Sequence, residues 1–183
     1  MSEQIVVDRT KLGELMLFIS KRTAEDRRFG ATKLNKVLFF SDFLAYRLLG
    51  DPITGAQYRK LDYGPAPVEL VEVRDSLIES EAAVMSEEFI VGYIQKRLIA
   101  LRDPDISLFT TDQIQLVEQV ISALNGQSAG QVSEISHRIS IGWQLATFKE
   151  VIPYVTAYLS ARKLTESEHQ YIQEQLLRTP MSA

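Results

Sequence analysis

Residues 31–70, ATKLNKVLFFSDFLAYRLLGDPITGAQYRKLDYGPAPVEL, decide the fold of this chain. At about 100° per residue, the segment 31–49 carries apolar side chains around most of its circumference. That pattern belongs to a central helix packed on several sides rather than a surface one. Val37, Leu44, Leu48, Leu34, Ala45, Leu38 and Leu49 form one broad apolar face, and Asn35, Asp42 and Tyr46 a narrow polar strip. A third stripe, Lys33, Lys36, Phe40, Phe43 and Arg47, mixes aromatic and basic residues. Gly50-Asp51-Pro52 stops the helix, because the residue before proline disfavours the α region. Residues 53–62 lose the helical period, and Tyr58 and Lys60 read as a short strand. Tyr63-Gly64-Pro65-Ala66-Pro67 then makes an elbow with two fixed φ angles, and Pro67 suits the first turn of a helix over about 67–80. That helix is expected to bury Leu70, Val71, Val73 and Leu77.

Working outward, Asp8 can cap a helix over 9–21, where Leu12, Leu15, Met16 and Ile19 repeat at i, i+3, i+4 and i+7. Thr32 is the candidate cap of the central helix. Residues 82–101 alternate polar and apolar with period two around Gly92, which predicts a β-hairpin or two short strands. Asp103-Pro104-Asp105 is a turn. Thr111 or Asp112 caps a helix that ends at Asn125-Gly126, and Ser128 or Ser133 begins another that ends near Gly142-Trp143. Thr165-Glu166-Ser167-Glu168 is a capping box for a last helix over about 165–177. The expected fold class is α+β and predominantly helical, a compact domain spanning 1–183 around the long central helix with a small antiparallel β-sheet.

The 183 residues carry 45% apolar and 24% charged side chains, ordinary globular values, with a formal net charge of −4. Such a chain has no global basic field to attract nucleic acid or anionic lipid. Cysteine is absent, which removes thiol catalysis and thiolate metal sites. The opening residues show neither a basic n-region nor an apolar h-region, and no apolar run approaches the roughly 20 residues that span a bilayer. A soluble, cytoplasmic protein is the expectation.

Catalytic signatures are missing. His137 and His169 are the only histidines, with no HExxH, no GxGxxG, no P-loop and no GxSxG pattern. No metal and no cofactor are expected. Ser136 precedes His137, but adjacency in sequence does not make a nucleophile–base pair. His137 and Trp143 have three readings: core residues whose ring nitrogens satisfy buried backbone, a surface notch shared with Tyr63, or a histidine catalyst. The stripe Lys33, Lys36, Phe40, Phe43 and Arg47 has two main ones. Either it is covered, with the basic stems reaching out to water, or it is a partner-binding groove, since aromatic and arginine side chains dominate interface hot spots. Nucleic acid is opposed by Asp42 and by the acidic balance of the chain.

These residues also carry a family resemblance. Lys33, Leu34, Lys36, Leu38, Phe39, Phe40, Ser41 and Asp42, then Ile53-Thr54-Gly55, then Tyr63-Gly64-Pro65 with Pro67, resemble the core signature of the Panacea domain, the SocA-like antitoxin family. Ser136-His137 with Trp143 is similar to its shorter second signature. Phe40-Ser41 occupies positions where the family pattern has Tyr-Phe and alanine-type residues. The resemblance spans about residues 10–155. It implies a non-enzymatic antitoxin of a bacterial or phage two-gene toxin–antitoxin pair that binds its cognate toxin protein directly, one family member being an adaptor that delivers its toxin to an AAA+ protease. Lys33, Lys36, Phe40, Phe43, Arg47, Tyr63, His137 and Trp143 are the candidate partner-binding residues. Two other functions stay open: a nucleic-acid-associated autorepressor of its own operon, and a hydrolase using His137.

Overall fold

A computed structural model of the chain describes residues 5–90, 92–159, 167 and 170. Apart from residues 167 and 170, the helix expected at 165–177 therefore lies outside the described residues. Among those described, six α-helices and two small antiparallel sheets make an α+β, mainly helical fold. Helix α1 (Arg9–Arg22) starts where Asp8 accepts the backbone N–H of Lys11 at 2.9 Å. Its Leu12, Leu15, Met16 and Ile19 are fully buried. Helix α2 (Ala31–Leu49) runs through the middle and ends at Gly50. Around it pack α1, helices α4 (Thr111–Leu124) and α5 (Ala129–Ile139), and the 3-10 segment Tyr154–Tyr158. No helix among the described residues is long and apolar enough to cross a membrane.

The segment after α2 forms a two-stranded sheet, β1 (Tyr58–Arg59) with β2 (Ala66–Pro67), in the register Tyr58↔Pro67 and Arg59↔Ala66. Pro67 thus sits in a strand and not in the first turn of a helix, as its sequence had suggested. The reason is a backbone donor: the N–H of Val68 bonds to the carbonyl of Gln57 at 2.7 Å, which keeps the chain extended one residue longer. Helix α3 starts later, at Leu70–Glu79, and buries Val73 and Leu77 while Val71 stays exposed. The hairpin falls where the alternation places it, β3 (Ala83–Ile90) against β4 (Tyr93–Ala100). Ser20 of α1 locks onto it, donating to the carbonyl of Leu98 and accepting from the N–H of Ala100.

Two caps differ from expectation, and a third falls on Ser128, one of the two expected residues. Gly30, pressed against Gln95 and Lys96 of β4, takes the N-cap of α2 in place of Thr32. Thr110, not Thr111 or Asp112, caps α4, because Gln113 stands three residues on and completes a reciprocal capping box. Ser128 and Gln131 do the same for α5. That helix stops at Ile139, where Ser140 caps a separate short helix α6 (Ile141–Leu145) by accepting from the N–H of Trp143.

Within the polar strip of α2, Asp42 does not face water. Asp42 is fully buried, and its carboxylate accepts the Thr54 N–H at 2.8 Å, the Thr54 hydroxyl at 2.5 Å and the Tyr58 hydroxyl at 2.7 Å. Burial raises its carboxyl above the usual range, against these hydrogen bonds, which favour the charged form. Phe39, Phe43, Tyr58 and Tyr154 pack edge and face around it, with Phe39–Phe43 centroids 4.3 Å apart and Phe43–Tyr154 4.7 Å. Asp42→Ala is expected to lower the free energy of unfolding by about 3 kcal/mol or more, since each buried donor left without an acceptor costs about 1–3 kcal/mol. Urea denaturation measures this. A loss below about 1 kcal/mol would show that the network does not hold the turn to the helix.

Candidate functional site

The eight candidate binding residues separate into three places. Lys33 is fully buried near the start of α2, paired with Asp26 at 2.5 Å, bonded to the carbonyl of Gln127 at 3.0 Å and lying over the Phe29 ring. Its charge is spent inside the protein.

Lys36, Tyr63, His137 and Trp143 gather at the Tyr-Gly-Pro elbow, whose backbone carbonyls are held one after another. Trp143 Nε1 donates to Leu61 at 3.3 Å, Ser133 Oγ to Tyr63 at 3.0 Å and Lys36 Nζ to Pro65 at 3.1 Å. Gly64, at φ +96°, makes the approach possible. A Cβ there would sit 2.5 Å from Ser136 Oγ and 2.6 Å from Lys36 Cε, while also straining the left-handed backbone. The His137 ring stacks on Trp143 at 3.8 Å and 8°, and Lys60 Nζ lies 4.3 Å over the other ring system. The Tyr63 ring itself points outward, 76% exposed. Trp143 thus satisfies buried backbone, whereas His137 Nε2 has no partner among the described residues. Burial and the nearby positive charges of Lys36 and Lys60 lower the pKa of His137. Its ring therefore stays neutral near pH 7. Ser136 directs its hydroxyl to the carbonyl of Ser133, not to His137.

Phe40, Phe43 and Arg47 line the third place, an open groove of about 510 Å³ between α2, the α5–α6 junction and the Tyr154–Tyr158 segment. Phe39 and Phe43 make its floor, and Phe40, Leu44 and Ile139 its apolar sides. Arg47 and Arg138, both exposed, stand at its rim. Neither guanidinium makes an ion pair or a hydrogen bond among the described residues. The wall from α5 is absent from the sequence reading. Periodicity ranks Leu44 with the core, and nothing in HRISIG marks Arg138 and Ile139 as neighbours of α2.

The elbow yields a pH-dependent prediction. Burial without a carboxylate partner pushes the Lys36 ammonium down to about 7. The unfolded chain still holds that proton up to about pH 10, so unfolding takes up a proton between these values. The penalty for burying the charge is largest below about pH 7 and fades above it, so stability contributed at this site rises with pH. Urea unfolding from about pH 7 to about pH 10 should show a rise of a few kcal/mol that flattens in Lys36→Met. An equal slope in both proteins would mean that Lys36 is not its source.

A family model described as antitoxin SocA-like, Panacea domain, matches residues 34–144. No curated protein and no solved structure matches the chain. The matched stretch takes in α2, the Thr54 turn, the elbow and the His137–Trp143 stack, the parts that the buried polar groups of α2 tie together. By that match, which covers more than half of its length, this chain belongs to the SocA-like antitoxin family that carries the Panacea domain.

Proposed function

We infer that this protein neutralises a partner toxin by direct protein–protein contact, and that the groove along α2 is the contact face. Family membership supports the antitoxin role in general. The observation that carries the finer reading is the groove itself: an apolar cleft whose two arginines make no ion pair among the described residues. Aromatic, aliphatic and arginine side chains in one concave patch are the composition of interface hot spots. The buried cluster at the elbow serves as scaffold in this reading, because Lys36, Ser133 and Trp143 spend their donors on backbone. Lys33 and Lys36 of α2 supply no track for phosphates, since both are buried.

The test is growth of cells expressing the adjacent gene alone, with this protein, and with its Ile139→Asp variant. Ile139 is half exposed, so a charge there blocks the groove without emptying the core. Toxicity alone, rescue by the wild-type chain and loss of rescue by a folded Ile139→Asp variant are expected. Rescue by the variant equal to wild type would remove the groove from the contact, and a neighbour that is harmless alone would remove the antitoxin reading. Toxin abundance separates two modes: it is unchanged where binding occludes the toxin and falls where binding delivers it to an AAA+ protease.

A further inference from the structure

The walls of the groove narrow what can occupy it. Several of their polar groups are already engaged: Ser140 Oγ accepts from the N–H of Trp143, and the carbonyls of His137 and Arg138 accept from Gln144 Nε2 at 2.8 and 3.0 Å. Thr156 Oγ1 donates to the carbonyl of Pro153 at 2.7 Å. The lining comes from α2, the α5–α6 junction and the Tyr154–Leu159 segment, none of which is a strand with a free edge. An extended peptide laid here would bury its own N–H and C=O groups against Phe40, Leu44 and Ile139 without partners, which is costly. A helix brings its backbone bonds with it. The free hydrogen-bonding capacity at the rim lies in the two guanidiniums, whose forked donors match carboxylates.

We propose that the groove receives an amphipathic α-helix of a partner protein, its apolar face on Phe40, Leu44 and Ile139 and its carboxylates on Arg47 and Arg138. The partner's identity as a toxin rests on the function inferred above, whereas the chemistry of the groove does not.

The probe is a fluorescein-labelled designed helix with leucines along one face flanked by glutamates, beside a twin flanked by lysines. Anisotropy with the intact chain should show binding of the glutamate helix, with amide shifts at Phe40, Leu44 and Ile139. Affinity should fall at least about ten-fold in Arg47→Glu/Arg138→Glu, a surface double variant that keeps the fold, and should fall at about 0.5 M salt. The lysine twin should bind the double variant better than the wild-type chain. Equal binding of the two helices, an unaffected double variant, or shifts confined to other faces would overturn the proposal. So would a dimer in sedimentation that the double variant dissolves, because the groove would then belong to a second copy. A harmless neighbouring gene alongside binding of the glutamate helix would sink the antitoxin reading and support the groove chemistry.

Discussion

Three charged side chains of α2 are buried, and the rest of the fold is arranged to satisfy them. A helix covered on all sides offers no route to water, so each charge must find its partners inside or cost several kcal/mol. Lys33 finds Asp26 and the carbonyl of Gln127, which draws in the loop after α1 and the one before α5. Lys36 finds the carbonyl of Pro65 and fixes the elbow. Asp42 finds the Thr54 and Tyr58 donors and fixes the turn after α2. Spaced along one helix, these three side chains staple four separate segments to it.

The same constraint explains why the loops have the sequences they have. Thr54 supplies two donors to Asp42, and its own carbonyl accepts the N–H of Asp8, so a single turn joins α1 and α2. Gly55 follows at φ +67°, where a Cβ would stand 2.6 Å from the carbonyl oxygen of Val6. The motif residues are therefore structural first. They build the frame that places α5 beside α2 at the distance a groove requires.

That groove is where the frame is incomplete. Between α2 and the α5–α6 junction no element of the described chain fills the space above Phe39 and Phe43. Arg47 and Arg138 flank the gap without the internal carboxylates that Lys33 and Arg102 find; Glu14, for example, accepts from Arg102 and the N–H of Asp105, and the guanidinium lowers its pKa. Stability demands partners for buried charges, and exposed ones are left over for recognition.

Local patterns along the chain set the helical frame: the span of α2, the Asp8 cap, the hairpin about Gly92 and the breaks at Gly50 and Asn125. Periodicity and turn chemistry act over a few residues, so they are legible locally. The sequence also carried the capping boxes at Thr110 and Ser128, readable from Gln113 and Gln131. Which residues of α2 are covered and which stay exposed follows from long-range packing. Lys33 and Lys36 share a stripe with Phe40 and Arg47, yet two are buried and Arg47 is exposed, because loops cover the first half of the helix and not the last turn. For the same reason Leu48 and Leu49 are exposed although their spacing places them with the core. The meeting of Arg138 and Ile139 with Phe40 and Leu44 depends on contacts nearly a hundred residues apart. Such pairings arise from packing, which leaves no local pattern in the chain.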